Sequence, residues 1–150
     1  MENLYDERFK FKGKLRKFHL ISNNICYGPM PAPDDEVEQH LTINDKGRVW
    51  FSAYNFGHHG KFIKNRSKNF SVDKSAAERL LFAISENFSK GNVIMKICDV
   101  GVWEIELTNS DGQNYFFSGS MGDLEDISEM VRETLGMKDL FVFDENRRNK

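Results

Sequence analysis

Alternation of apolar and polar residues dominates this chain, in two blocks separated by a helical pattern. Leu15 to Ile21 reads as a strand. Ser22 to Asp35 then has no periodicity and holds Pro29, Pro31 and Pro33, so it reads as a long loop. Val37, Gln39, Leu41 and Ile43 alternate with polar neighbours, Asn44-Asp45-Lys46-Gly47 turns, and Arg48 to Phe56 runs back as the partner of a hairpin. Gly57-His58-His59-Gly60 breaks this strand, and Lys61 to Val72 alternates again with Phe62, Lys64, Arg66, Lys68 and Phe70 on one side. A helix follows from Asp73 or Ser75, where Ser75-Ala76-Ala77-Glu78 has capping-box spacing; Ala77, Leu80, Leu81, Ile84 and Phe88 form its apolar stripe and Gly91 ends it. A second hairpin pairs Trp103, Ile105 and Leu107 with Asn114 to Ser120 across an Asn109-Ser110-Asp111-Gly112 turn. A second helix is expected from about Asp123 to Leu135, stopped by Gly136, then a short strand at Asp139 to Phe143.

These elements predict an α+β fold: a single two-layer domain over residues 1–150, with an antiparallel sheet of five to seven strands and two helices on one face. Residues 1–13 and 145–150 fall outside the predicted packed elements, and 22–35 is the proline loop. Leu41-Thr42, Asp45 and Phe51-Ser52 recur at the spacing of Leu107-Thr108, Asp111 and Phe117-Ser118, which raises a duplicated hairpin-helix unit as a further expectation.

With helices on one face, the other face becomes the place to look for function. A three-residue Asp45-Lys46-Gly47 loop pairs Ile43 with Val49 and Leu41 with Phe51, leaving His40, Thr42, Trp50, Ser52, Tyr54 and Phe56 opposite the core. In the second hairpin a loop of two or four residues places Phe116 in the core and Tyr115 and Phe117 beside Glu104 and Glu106; an odd loop exchanges those faces. The expected open face therefore carries Trp50, Tyr54, Phe56, Tyr115 and Phe117 with Glu104, Glu106 and His40, the mixture found in protein interfaces. The competing expectation is an internal cover, supplied by the N-terminal segment with Phe9, Phe11 and Phe18 or by the proline loop.

Composition sharpens this in two ways. The 13 Phe among 39% hydrophobic residues mean that a few large rings carry much of the core volume, with Phe51, Phe82, Phe88 and Phe116 expected there. The net charge of -2 hides a division, because residues 1–75 are net basic and 76–150 net acidic, with eight carboxylates and no Lys or Arg between Asp99 and Val131. Such a division argues against a uniform nucleic-acid binder. No apolar run has membrane-helix length, and the charged start MENLYDERFKFKGK lacks a signal peptide's apolar stretch, so a soluble, unexported protein is expected. Cys26 and Cys98 stand apart without metal or redox spacing and read as buried thiols in a reducing compartment.

Catalytic and cofactor signatures are sparse. Glu104 and Glu106 sit two apart on one strand face, the arrangement of a glycosidase pair or of two solvated carboxylates. His58 and His59 point to opposite sides of an extended chain and lack nearby ligands, so no metal is assigned. The glycines of Ser118 to Gly122 precede a helix whose first turn is acidic, which opposes phosphate binding. No nucleotide-loop, hydrolase-elbow or zinc-protease motif occurs, and no cofactor is assigned. Lys61, Lys64, Arg66 and Lys68, with Phe62 and Phe70, offer a polyanion or nucleic-acid surface, or an edge strand defended by lysines.

Tyr27-Gly28 with Pro31-Ala32-Pro33, Asp35 to Leu41, Gly47 to Ser52, Leu107-Thr108-Asn109 with Asp111-Gly112, and Thr134 to Asp144 together resemble a family of small uncharacterised proteins of Firmicutes, many from gut bacteria. The resemblance covers most of residues 15–146. It implies a bacterial cytoplasmic protein and carries over no catalytic or binding role. The expectation is then a non-enzymatic protein-interaction module, of inhibitor or immunity type, facing a basic partner or a second copy of itself. The alternatives are a polyanion-binding module on Lys61 to Lys68, and an enzyme whose pocket places the 22–35 loop over His40 and His58.

Overall fold

The computed structural model describes residues 10–25, 30–90, 101–122 and 124–144. In chain order these form β1 (Leu15–Asn23), β2 (Glu36–Asn44), β3 (Arg48–His58), β4 (Lys61–Ser71), α1 (Lys74–Ser89), β5 (Val102–Asn109), β6 (Asn114–Ser120) and α2 (Glu125–Leu135). The strands make one open antiparallel sheet in the order β4-β3-β2-β1-β5-β6, so β1 joins the meander β2-β3-β4 to the hairpin β5-β6. The fold is α+β.

Period-two patterning decides the layers. Phe18 and Leu20 of β1, Leu41 and Ile43 of β2, Val49 and Phe51 of β3, and Trp103, Ile105 and Leu107 of β5 are buried on one face, against Leu80, Leu81, Ile84 and Phe88 of α1 and Val131 and Leu135 of α2. Phe88 packs near Trp103, Phe117 and Phe143, with ring centroids 6.0, 4.7 and 6.3 Å away. The stripe expected on α1 is buried as read, whereas Phe82, expected in the core, is 65% exposed. Its start is capped by the Asp73 carboxylate, which accepts from the Ala76 N–H at 3.1 Å, in place of a Ser75 box. The Gly91 stop and Asp123 lie outside the described residues. Gly136 ends α2 at φ 67, its N–H turned back to helix carbonyls.

Asp139 to Phe143 is not a strand. Leu140, Phe141, Val142 and Phe143 are buried, but side chains rather than a ladder hold their backbone. Gln39 accepts from the Phe141 N–H (2.8 Å) and donates to the Asp139 carbonyl (3.1 Å); Ser22 donates to the Val142 carbonyl (2.6 Å), and Ser128 accepts from the Phe143 N–H (3.1 Å). Arg132, 3% exposed, donates to the Leu140 and Phe141 carbonyls and pairs with Glu129 and Asp144. The continuous apolar run in this stretch reflects burial against the core, which apolar pattern alone cannot separate from sheet pairing.

The two hairpins share one turn. Asn44 and Asn109 each use the side-chain oxygen to accept two backbone N–H groups, from Lys46 and Arg48 and from Asp111 and Gln113. Gly47 and Gly112 close the loops at φ 87 and 81, which a side chain would strain; at Gly47 a Cβ would also meet the Val72 carbonyl oxygen at 2.4 Å. The first hairpin has the expected register, Ile43 opposite Val49 and Leu41 opposite Phe51. The second also has a loop of odd length, with Ile105 opposite Phe117 and Leu107 opposite Tyr115. Tyr115 and Phe117 therefore pack on the core, and Phe116, expected inside, is 70% exposed on the opposite face. The 41–52 and 107–118 echo is one residue out of step with this shared turn.

Candidate functional site

The helix-free face is organised in rows across the strands. One runs Trp50, Thr42, His19, Glu106, Phe116; the next runs Ser52, His40, Ile21, Glu104, Ser118; a third joins Tyr54, Glu38, Asn23 and Val102. Trp50, 37% exposed, and Phe116 terminate the first row. Four strand spacings separate them, about 19 Å. Between these aromatic ends lies a polar, ionisable centre. His19, Ile21, Glu104 and Glu106 line a shallow depression of about 300 Å³ together with Phe116 and Ser118.

Hydrogen bonds fix that centre. The His40 Nε2 donates to the Glu38 carboxylate at 2.8 Å, and its ring lies 4.7 Å from Tyr54 and 5.9 Å from His19. His19 Nδ1 shares a 2.7 Å hydrogen bond with the Thr42 hydroxyl. Burial lowers the His19 pKa, helped by the charge of His40 and by Lys17 and opposed by Glu106. The hydrogen bond from His40 lowers the Glu38 pKa; burial opposes it, and Asn23 donates a further bond. His19 is thus biased toward its neutral form, and Glu38, two rows away, toward its ionised form.

Several expected residues meet here and several do not. Trp50, Tyr54, His40, Glu104 and Glu106 share the open face as read. Tyr115 and Phe117 leave it for the core, and Phe116 takes their place. Phe56 lies past one register shift between β3 and β4 and inside a second, its ring 6.2 Å from Phe62 instead of among Trp50 and Tyr54. The internal cover is not built from Phe11 or Phe18: Phe18 is in the core, and Phe11 docks beneath Tyr115 with its N–H on the Phe88 carbonyl, 2.9 Å. Phe9 lies outside the described residues. Pro33 and Asp35 accept from Gly57 and Phe56, which keeps that part of the proline loop alongside β3 in the plane of the sheet. His19 and Ile21 were overlooked as site residues; the alternation of β1 against Phe18 and Leu20 already marked them for this face.

The basic strand divides. A register shift after Ala53 leaves Arg66 and Lys68 opposite Ala53 and Phe51 on the helix side, while Lys64 lies opposite Tyr54 on the other. Arg66 is occupied: it donates to Glu36 (2.9 Å), pairs with Asp139 (2.7 Å) and stacks over Phe51. These carboxylates raise its pKa, the Glu36 hydrogen bonds most, against burial. At Glu36 burial acts upward, but Arg66, Gln39 and Asn65 outweigh it and the pKa is lowered. The shared cationic face expected of Lys64, Arg66 and Lys68 is thus not formed.

Among the described residues no pocket joins His40 and His58, since His40 lies opposite Ser52, six residues and about 20 Å along β3 from His58. Among the described residues no three His, Cys, Asp or Glu converge as a metal site, and no helix is long and apolar enough to cross a membrane. Cys26 and Cys98 lie outside the described residues. Comparison with protein-family models and with curated proteins finds no match.

Proposed function

We propose that the protein is a non-enzymatic interaction module that binds a protein partner through the helix-free face of its sheet. The observation that carries this reading is the first row, in which exposed Trp50 and Phe116 flank a centre of His19, Thr42 and Glu106. Two anchoring rings about 19 Å apart match the span of a protein surface better than that of a small ligand. The shallow depression between them has carboxylates from Glu104 and Glu106, with the ionised Glu38 nearby, so the favoured partner presents a basic surface.

The test is quantitative affinity capture from an extract of the source organism, comparing the wild-type chain with Trp50→Ala and with Glu104→Lys plus Glu106→Lys. A partner recovered by the wild type and lost in both variants, with unchanged thermal unfolding, supports the reading. Equal recovery by all three removes this face from consideration.

A further inference from the structure

The two edges of the sheet are built differently, and the difference identifies a second interaction surface. The β4 edge carries Lys61, Lys64, Arg66 and Lys68 and has two register shifts against β3, the usual defences of an exposed strand. The β6 edge, Asn114-Tyr115-Phe116-Phe117-Ser118-Gly119-Ser120, has no charged residue, no proline and no register shift.

Its unpaired groups can be located. The Asn109 N–H donates to the Gln113 carbonyl (3.0 Å) and the Met121 N–H to the Gly101 carbonyl (2.7 Å), both in the β5–β6 register. Bonding alternates along an antiparallel pair. Tyr115, Phe117 and Gly119 therefore turn their backbone groups to β5, and Asn114, Phe116 and Ser118 turn theirs outward, where no strand of the described residues lies. The run stops at Ser120, which is buried with its carbonyl accepting from the Trp103 indole at 3.1 Å.

We infer that β6 pairs with β6 of a second copy of this chain, antiparallel about a two-fold axis at Phe116. This register uses all three outward residues: Phe116 faces the partner's Phe116, and Asn114 faces the partner's Ser118 at both ends, for six main-chain hydrogen bonds. Shifting the axis to Tyr115 sets Ser118 against Gly112 of the loop, and shifting it to Phe117 sets Asn114 against the buried Ser120, so each leaves four. An uncharged strand sets no like charges against each other in such a symmetric pairing, whereas β4 would set lysine against lysine. The two Phe116 rings then stand side by side on the open face, each still ending its own row, and Tyr115 meets the partner's Phe117 on the helix side. A single strand pair buries less than the roughly 1,200 Å² of a standard interface. The dimer is therefore a micromolar or weaker one.

Sedimentation equilibrium of the full chain, from low micromolar to near-millimolar concentration, is expected to show a monomer–dimer equilibrium. Ser118→Pro removes an outward N–H and leaves the β5 ladder untouched; Phe116→Lys places two ammonium groups at the axis. Each is expected to weaken dimerisation at least about tenfold while thermal unfolding at low concentration is unchanged. With Cys26→Ser and Cys98→Ser as background, Phe116→Cys is expected to oxidise to a linked dimer, its Cα atoms about 5.5 Å apart across the axis, and Asn114→Cys is not. A chain monomeric throughout overturns the inference. So does a dimer indifferent to both substitutions, one cross-linked through Asn114→Cys alone, or a monomer that instead takes up an added strand peptide of unrelated sequence.

Discussion

The two faces of the sheet are made by the same strands, yet they follow different rules. The helix side is apolar and closed: large rings such as Trp103 and Phe18 are fully buried, and the polar groups admitted there, Gln39, Ser22, Ser128 and Arg132, are hydrogen-bonded to the backbone of 139–143. The open side mixes half-buried and exposed positions, with ionisable groups at its centre and rings at its ends. One face holds the molecule together. The other has a composition that stability alone does not call for, since Trp50 and Phe116 gain little by standing where they do.

This contrast is open to direct attack. Trp103→Ala strikes the closed face hardest, removing a ring packed 4.9 Å from Phe143 and a hydrogen bond to Ser120, and is expected to cost about 3 to 5 kcal/mol. Chemical denaturation measures it, and a cost under about 1 kcal/mol would dissolve the distinction between faces. Next comes Arg132→Met, which strands the Leu140 carbonyl, takes one of two donors from the Phe141 carbonyl and removes the ion pair to Asp144, for an expected loss of about 2 to 4 kcal/mol.

Acid separates the faces more gently. Glu36 and Glu38 have lowered pKa values in the folded chain, so below the usual carboxylate range the unfolded state takes up protons first and stability falls as pH drops through their folded values. His19, also lowered, acts in the same direction but at higher pH: its contribution is complete above the ordinary histidine value of 6.5 and declines as pH falls below it. Denaturation from pH 8 down to pH 5 is expected to show this decline in the wild type and a flatter profile in His19→Gln. The smallest expected effect is Trp50→Ala, under about 1 kcal/mol by thermal unfolding, even though it is expected to abolish partner capture.

How much of this could be read from the chain depended on turns more than on strands. Every strand of the meander was legible in its alternation, and the Gly47 loop fixed the first register because its three-residue geometry was recognised. Asn109-Ser110-Asp111-Gly112 builds the same asparagine-capped loop, but without Asn44 as a guide its residues fit loops of two, three or four positions, and a change of one exchanged Phe116 with its neighbours. The basic strand was misread for a related reason, since one register shift beside Ala53 moves Lys64 to the other face from Arg66. Arg132 and Gln39 were beyond the pattern altogether: their partners are backbone atoms distant in sequence, and periodicity has no access to such pairs.

The placement of β1 in the middle of the sheet carries a kinetic consequence. β2, β3 and β4 pair with chain neighbours through short turns, and so do β5 and β6, but the sheet joins these two assemblies through the β1–β5 pairing, with Leu20 opposite Ile105 near its middle and α1 and most of the chain between them. Closing that long loop costs entropy before its contacts give anything back. The docking of β5 on β1 is thus the expected rate-limiting event, and a weakened contact such as Leu20→Ala should slow folding, while damage at the outer turn of β3 and β4 should mainly hasten unfolding.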